Sequence, residues 1–260
     1  MSVIEDLLAS FTPISLAEMD SVKLMNRIDT KYTVPLSLLP TILEMSQNDY
    51  YVQQTGGKRI ADYNTIYYDT DSLDMYIRHH DKQLHRQKIR VRQYVNTHET
   101  YLEIKRKDNK GRTKKRRMVV PGFELTPQTI GHGKHHDRTV EEFIALKSPY
   151  QWSELAPRLR TVFRRITLVN KAKTERLTID MSLIWENMQT GEKKTFPELV
   201  IIELKRDGNA PSPMTKIMID QRVHPFKISK YCIGTALTNH GLKKNRFKKK
   251  IRHIVKMLNH

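Results

Sequence analysis

The 260-residue sequence predicts one α+β domain built around a large antiparallel sheet or barrel, with helices flanking it. Several segments alternate charged and apolar residues with the short period that is typical of β-strands. Helical patterns lie before, between and after these segments. No internal repeat or low-complexity linker divides the chain, so we expect a single domain over residues 1–242 and a strongly basic tail over 243–260.

Each element follows from its local sequence. Pro35 marks the start of one helix, and Pro40 favours a bend or a split within it. The turn sequence Asp108-Asn109-Lys110-Gly111 joins two strands as a hairpin. The predicted helices cover 2–11, 14–25, 35–46, 138–147, 212–222 and 229–239. The predicted strands cover 27–34, 60–69, 86–95, 99–107, 113–120, 160–169, 175–180, 182–188 and 198–206.

The net charge of the chain is its most pronounced global property. Lys and Arg total 46 against 28 Asp and Glu, which gives +18, and this excess indicates a polyanionic partner. No apolar run is long enough to predict a transmembrane helix, and the acidic start MSVIEDLLASF does not resemble a secretory signal. The single Cys232 argues against a disulfide framework or a cysteine-rich zinc site, so we expect a cytoplasmic protein.

Six strand segments combine an apolar face with a charged face. In KIRVRQY, Lys88, Arg90 and Arg92 share one face, while Ile89 and Val91 share the other. We expect the apolar faces to pack under helices and the charged faces to converge on a common interior. The other charged residues of these faces are Arg27, Asp29, Lys31, Glu103, Lys105, Lys107, Lys115, Arg117, Arg165, Arg176, Asp180, Glu203 and Lys205.

The residue types on these faces favour a polyphosphate ligand. Alternation alone is typical of any half-exposed antiparallel strand, but such strands usually carry Thr, Ser, Gln and mixed acids on the solvent side. Here the charged faces are mainly Arg and Lys, which bind phosphate oxygens, with a few carboxylates that could hold a bridging divalent metal. A nucleic-acid binder would more often show an open surface with stacking aromatics, so we expect no nucleic-acid partner.

The motifs RIDTKY, YYDT, KIRVRQY, YLEIKRK, FRR, RLTID, ELK and KISKY occur in this order between Arg27 and Tyr231. In this order they resemble the VTC domain, the polyphosphate polymerase module of the vacuolar transporter chaperone complex and its bacterial relatives. The resemblance implies membership of the triphosphate tunnel metalloenzyme superfamily, whose antiparallel β-barrel encloses a triphosphate or polyphosphate chain. Lys88, Arg90 and Arg92 would then face a phosphate chain.

The resemblance also implies roles for individual residues. Glu203 resembles the family's metal-binding carboxylate, which would hold Mn²⁺ or Mg²⁺, and Glu103 is a second candidate. Ser229 could donate its hydroxyl at the start of a helix whose free N–H groups favour anions. Catalytic contacts to phosphate are implied for Arg90, Arg92, Lys105, Arg165, Arg176 and Lys230. Further phosphate contacts are expected from Lys31, Lys88, Lys115, Arg117, Lys205, Lys227 and Ser229.

Two departures from the family pattern bear on the expected activity. Phe163 stands where relatives usually carry Tyr, so one hydroxyl contact is absent. The first strand carries R-x-D-x-K at 27–31, whereas hydrolytic relatives carry E-x-E-x-K, which disfavours a second metal and hydrolysis. The sequence therefore predicts a metal-dependent phosphotransferase that moves the γ-phosphate of a nucleoside triphosphate, ATP, onto polyphosphate. A tripolyphosphatase and a non-catalytic polyphosphate- or triphosphate-binding module remain open alternatives.

Two further segments carry weaker predictions. GHGKHHDR at 131–138 has three histidines and an aspartate, but its polar, glycine-containing setting favours a solvated loop over a metal site. In the tail KKNRFKKKIRHIVKM, Phe247, Ile251, Ile254 and Val255 fall roughly along one helical face among basic residues. The tail is interpreted as a peripheral contact to an anionic membrane or membrane protein, a dock for a product chain, or a solvated basic helix.

Overall fold

The computed structural model describes residues 3–20, 27–109, 113–125, 138–208 and 210–258. The helices are α1 Val3–Ala9, α2 Leu16–Asp20, α3 Leu39–Ser46, α4 Asp74–His80, α5 Val140–Lys147, α6 Pro213–Asp220, α7 Lys230–Thr238 and α8 Asn245–Leu258. The strands are β1 Thr12–Ile14, β2 Arg27–Pro35, β3 Tyr50–Gln53, β4 Ala61–Asp69, β5 Arg86–Tyr94, β6 Glu99–Lys107, β7 Thr113–Val119, β8 Ala156–Asn170, β9 Glu175–Asn187, β10 Lys193–Phe196 and β11 Leu199–Asp207.

The strands form one largely antiparallel sheet that curls into a half-barrel. Its main hydrogen-bonded order is β2-β11-β9-β8-β4-β5-β6-β7. β10 pairs with β9, and β3 pairs with β8 while it carries β1 in parallel. The predicted α+β architecture around a curled antiparallel sheet is confirmed.

Helices cover the outer face of the sheet in two groups. α1, α3 and α6 pack on β2, β11, β9 and β8, where Ile42, Leu177 and Ile202 are fully buried. α5 packs on β5 and β6, where Phe143 and Val91 belong to one buried cluster. Full burial of such a side chain stabilises the fold by about 1.5–3 kcal/mol. The apolar strand faces therefore lie under helices, as predicted, and the opposite faces turn inward.

Two further helices pack against part of the inner face. α7 rests directly on β8 and β9 because Gly234 has no side chain: a Cβ at this position would lie 2.4 Å from the Trp185 ring and 2.8 Å from Leu159. α8 places Phe247 and Ile254 in the same apolar cluster. The basic tail thus contains a helix whose apolar side is buried against the sheet domain.

Membrane-spanning helices were not predicted from the sequence. Among the residues that the structure describes, none of the helices combines the length and the apolar character needed to cross a bilayer.

Several predicted boundaries were wrong. Segments 175–180 and 182–188 form the single strand β9, in which the left-handed backbone of Ser182 (φ 55°) lies near a register shift against β8. The helix predicted over 35–46 is divided into a 3₁₀ helix, Leu36–Leu38, and α3, and Pro40 lies in the first turn of α3, where its missing N–H costs no hydrogen bond. The start of the helix predicted over 14–25 is shifted, because Ile14 belongs to β1 and α2 begins at Leu16.

Parts of five predicted segments lie outside the described residues. They are residue 2 of the first helix, 21–25 of the second helix, 110–111 of the hairpin turn, 131–137 of the histidine-containing segment and 259–260 of the basic tail.

Four elements were missed because their local signals are weak. β1, β3 and β10 are too short for periodicity to show. α4 is capped from a distance, since the Asp69 carboxylate at the end of β4 accepts from the backbone N–H groups of Met75 and Tyr76, both at 2.9 Å. The residue that precedes α4 is Leu73, which provides no side-chain cap, so the usual N-terminal signal is absent.

Candidate functional site

Rows of basic side chains cross the inner face on neighbouring strands. In the register of β5, β6 and β7, Lys88 lies beside Lys105 and Lys105 beside Lys115, while Arg90 lies beside Glu103. Laterally paired residues share a face of the sheet. The register therefore brings these predicted site residues together, as the alternating sequence pattern requires.

Glu103 offsets part of this positive charge. Its side chain is fully buried and accepts hydrogen bonds from Arg90 Nε at 2.7 Å and from Lys115 Nζ at 2.5 Å. Although burial would raise it, the charges of Arg90 and Arg92 hold the pKa of the Glu103 carboxyl well below its ordinary value. Oε2 contacts Arg90 and Oε1 contacts Lys115, so both carboxylate oxygens are engaged with cations.

Asp180 has an equivalent position on β9. Its oxygens accept from Arg165 Nε at 2.5 Å and Nη2 at 2.8 Å, and Oδ2 also accepts from Lys230 Nζ. Burial opposes ionisation, but the charges of Arg165 and Lys230 lower the pKa of the Asp180 carboxyl. Asp180 was not among the predicted site residues, although its alternate spacing from Arg176 in RLTID placed it on the same charged face.

Aromatic rings lie beneath several of these cations. Phe163 stacks on Tyr63 with ring centroids 5.1 Å apart. The guanidinium of Arg165 lies 5.3 Å, and the Lys230 ammonium 4.7 Å, from the centre of the Phe163 ring. The Arg92 guanidinium lies 5.8 Å from the same ring. Phe163, which stands where relatives of the family usually carry Tyr, therefore presents the face of its ring to three cations.

Three cations of the inner face, the buried Arg92 and the partly buried Lys88 and Lys105, are not offset in this way. Among the described residues, Lys88, Arg92 and Lys105 form no ion pair with a carboxylate; Lys88 donates to Ser229 Oγ at 2.8 Å, and Arg92 Nε to Thr65 Oγ1 at 3.3 Å. Burial, followed by the charge of Arg90, lowers the pKa of the Arg92 guanidinium. The charge of Arg90, followed by burial, lowers the pKa of Lys105 well below its ordinary value. An anion between these side chains would relieve this positive charge.

Residues 226–230, which we term the crossing segment, connect opposite sides of the inner face. The N–H of Phe226 donates to the carbonyl of Lys31 on β2 at 2.6 Å. Ser229 caps α7 by accepting from the N–H of Cys232 at 3.2 Å, and it also accepts from Lys88 on β5. The segment therefore joins β2 to β5, which lie far apart in the order of the sheet.

Glu203 differs from Glu103 and Asp180 in how its carboxylate is held. Its oxygens lie 3.7 Å from Lys31 Nζ and 3.4 Å from Lys205 Nζ, with the side chain 25% exposed. Burial raises the pKa of this carboxyl, but the charges of Lys31 and Lys205 outweigh it and hold the pKa well below the ordinary value. The carboxylate is therefore ionised, and its looser contacts leave lone pairs available.

The described residues contain no cluster of three His, Cys, Asp or Glu side chains that could hold a metal alone. Glu203 nevertheless fits a metal held jointly with a ligand, because Mg²⁺ is commonly bound through one or two carboxylates and substrate phosphates. Glu103 fits less well, since cations already occupy both of its oxygens.

The remaining predicted site residues occupy the margins of this face. Arg176 lies beside Lys205 in the register of β9 and β11. Arg117 is exposed, with its guanidinium 4.7 Å from the centre of the Tyr101 ring. Lys227 is exposed, and its carbonyl accepts from Lys250 on α8 at 2.6 Å.

Sequence reasoning also missed the contribution of β4. Thr65 and Tyr67 both contact the arginines of β5, with Arg90 Nη1 donating to the Tyr67 hydroxyl at 3.3 Å. The motif YYDT includes Tyr67, but it does not reveal which cation the hydroxyl meets.

Comparisons with known proteins identify the domain. The family model described as the VTC domain matches residues 26–239. No curated protein sequence matches the chain. The family match confirms the resemblance that the ordered sequence motifs indicate.

Solved structures show distant likenesses. A Hippeastrum protein described as a candidate adenylyl cyclase with a dominant triphosphatase activity has a TM-score of 0.48 and 15% identity, over 84% of this chain and 99% of that one. A candidate adenylate cyclase from Vibrio parahaemolyticus gives 0.46 and 9%, over 81% and 99%. A conserved hypothetical protein from Pyrococcus furiosus gives 0.42 and 11%, over 80% and 99%. These values are too low to transfer any property to this chain.

The ion pairs predict opposite effects of two substitutions on stability. Asp180→Asn should lower the free energy of unfolding by about 3–5 kcal/mol, because it leaves Arg165 and Lys230 buried without their carboxylate. Arg92→Met should leave the free energy of unfolding unchanged or raise it, because it removes a buried cation that has no carboxylate partner among the described residues. Urea-induced unfolding at neutral pH measures both effects.

Asp62→Asn is the matched control for Asp180→Asn. Asp62 is 48% exposed and lies 3.8 Å from Arg164, so its removal should cost less than about 1 kcal/mol. Equal losses for the two variants would show that the Asp180 pair does not hold the inner face together.

Proposed function

The chain belongs to the VTC domain family, and from this premise we propose that it is a phosphotransferase acting on polyphosphate. The substrates are a nucleoside triphosphate, ATP in the simplest case, and a polyphosphate chain that accepts its γ-phosphate. Both occupy the inner face of the half-barrel. Residues 1–242 constitute the domain, and residues 243–260 constitute its basic tail.

One observation carries the proposal: the inner face holds more buried or partly buried cations than its carboxylates offset. Lys88, Arg92 and Lys105 are not paired with carboxylates within the described chain, although burying an uncompensated charge is costly. A linear polyphosphate carries repeated negative charges and can contact several strands at once. A single monophosphate could meet only one part of this surface.

Glu203 is the proposed metal ligand, for Mn²⁺ or Mg²⁺. The metal, when bound, would neutralise phosphate charge and polarise the transferred phosphoryl group. Glu103 and Asp180 are assigned instead to holding Arg90, Lys115, Arg165 and Lys230 in place. Lys31 and Lys205 flank Glu203 and would contact the phosphate oxygens around it.

The basic side chains perform the transfer by positioning and charge stabilisation. A terminal oxygen of polyphosphate attacks the γ-phosphorus, the bond from that phosphorus to the β–γ bridging oxygen breaks, and the nucleoside diphosphate leaves. The attacking, transferred and leaving groups share negative charge. Arg90, Arg92 and Lys105 stabilise this charge from one side of the inner face. Arg165, Arg176 and Lys230 stabilise it from the other side. Such preorganised cations act mainly through electrostatics and alignment.

The test is an analysis of products. Purified full-length protein is incubated with ATP and Mn²⁺, and polyphosphate, nucleoside diphosphate and free phosphate are quantified. The proposal is supported if long-chain polyphosphate forms and one molecule of nucleoside diphosphate is released for each phosphoryl unit in the chain. Free phosphate as the main product would identify a hydrolase, and tight binding of tripolyphosphate without turnover would identify a binding module.

Glu203→Gln should abolish metal-dependent turnover while it preserves metal-free binding of tripolyphosphate. Loss of a metal ligand worth several kcal/mol in the transition state predicts a fall in kcat of about a hundredfold or more. Binding is retained because the cations around Glu203 remain. Steady-state kinetics and calorimetric binding measure the two effects separately.

Glu198→Gln makes the same chemical change just before the start of β11, where the side chain is exposed. It should leave both turnover and binding unchanged. If Glu203→Gln behaves like this control, the carboxylate is not a required ligand.

The lowered pKa of Lys105 predicts proton uptake on ligand binding. In the free protein, the Lys105 ammonium loses its proton at a pH below the ordinary lysine pKa, mainly because of the charge of Arg90. Bound tripolyphosphate should raise the pKa of Lys105. Binding should therefore take up protons at pH values between the lowered pKa and the ordinary lysine pKa. In the same window the stability of the free protein gains a contribution from Lys105 as pH rises, because the unfolded chain binds more protons there.

Calorimetry at about pH 9 in buffers of different ionisation enthalpy measures this uptake. Lys105→Met should reduce the uptake, whereas Lys216→Met at an exposed position should not. Identical proton uptake in all three proteins would show that Lys105 does not meet the anion.

A further inference from the structure

The exposed side of α8 is held in a fixed orientation. Phe247 and Ile254 are 8% and 3% exposed, and the Phe247 ring packs against Tyr76 at 5.7 Å. His253 stacks on Phe226 of the crossing segment with ring centroids 4.5 Å apart. Because the apolar side is buried in this way, the basic side of the helix faces solvent.

That basic side is not balanced by acids on its own helix. Lys248, Lys249, Arg252 and Lys256 are exposed, and we term them the exit face. Residues 243–260 contain no Asp or Glu. Lys248, Arg252 and Lys256 follow one another at intervals of four residues, about 6 Å along the helix axis. The exit face is therefore a line of cations with no intrahelical ion pair to neutralise it.

Lys250, on another side of α8 from the exit face, lies beside the candidate site. Lys250 on α8 donates to the carbonyl of Lys227, the second residue of the crossing segment, at 2.6 Å. Burial lowers the pKa of Lys250, and the charges of Lys82 and Lys227 lower it further, which indicates that three cations lie close together here. Among the described residues none of these lysines forms an ion pair with a carboxylate.

The crossing segment makes this cluster continuous with the interior. Its exposed end carries Lys227, while Ser229 accepts from Lys88 and Lys230 contacts Asp180 on the inner face. A polyanion leaving the inner face along this segment would meet Lys227, then Lys250, and then the helix.

We infer that the exit face of α8, together with Lys82, Lys227 and Lys250, is a binding surface for the part of a polyphosphate chain that extends beyond the inner face. The inference rests on the proposed function, because it adds a second site for the same polyanion. It makes binding depend on chain length: a short chain is held by the inner face alone, and a long chain is held by both surfaces.

Polyphosphate fits this surface better than a membrane or a nucleic acid does. A membrane-bound amphipathic helix inserts its apolar side, and here that side is occupied by Phe247 and Ile254 packing on the domain. Single-stranded nucleic acid is usually held by stacking aromatics among cations. The exit face carries none, since its side chains are Lys and Arg.

The test compares two ligands and two matched variants of the full-length protein. The ligands are tripolyphosphate and long-chain polyphosphate. Lys248→Gln/Arg252→Gln/Lys256→Gln removes three charges from the exit face, and Lys171→Gln/Lys173→Gln/Lys216→Gln removes three exposed charges elsewhere. All of these positions are exposed, and thermal unfolding verifies that both variants are folded.

The exit-face variant should bind long-chain polyphosphate about tenfold more weakly, from three exposed ion pairs of modest strength. Its affinity for tripolyphosphate should stay within about twofold of the wild type, and so should both affinities of the control variant. The salt dependence of long-chain binding should also become shallower, since fewer charges are neutralised on binding.

Four results would overturn the inference. An equal loss for both ligands, or an equal loss in the control variant, would show a general charge effect. No loss of long-chain affinity would show that α8 does not touch the chain. If the variant instead loses binding to phosphatidylserine vesicles while it keeps long-chain polyphosphate, the surface serves a lipid. A wild-type protein that fails to bind tripolyphosphate would contradict the proposed function and leave the long-chain comparison as a separate result.

Discussion

The structure depends on one constraint: positive charges are crowded on the inner face of a curled sheet. Two unit charges about 4 Å apart repel by about 4 kcal/mol at the effective dielectric constant typical near a protein surface. The fold resists this repulsion from its other side, where α1, α3, α5 and α6 bury the apolar strand faces. Outer packing therefore supplies the stability that allows an interior suited to an anion.

The carboxylates of the inner face divide into two kinds, and their geometry separates stability from chemistry. Glu103 and Asp180 are almost fully buried and make short contacts with two cations each. Such carboxylates fix side-chain directions and have little capacity left for another ligand. Glu203 is partly exposed and its two lysines stand further away. Since a metal needs free lone pairs, Glu203 is better suited to hold one than Glu103 or Asp180.

The alternating sequence predicts which residues share the inner face, because the direction of a strand side chain depends only on its position along the strand. The register confirms this for Lys88, Arg90, Glu103 and Lys105. Alternation cannot predict which cation meets which carboxylate. The bond between Lys230 and Asp180 joins the start of a helix to a strand, and the approach of Lys105 to Glu203 depends on the curl of the sheet. The distant cap of α4 by Asp69 escapes local reasoning for the same reason.

The crossing segment explains how a half-barrel can enclose a chain without a closed ladder of strands. β2 and β7 end the main strand order, and in the described part of the chain they do not pair with each other. Residues 226–230 connect β2 to β5 through the bond from Phe226 to Lys31 and the bond from Lys88 to Ser229. Each such bond contributes only about 0.5–1.5 kcal/mol net, far less than a strand ladder with its packed side chains. Because the segment also carries Lys227 to the surface beside α8, the weakest boundary of the interior is the one that connects it with the cations outside.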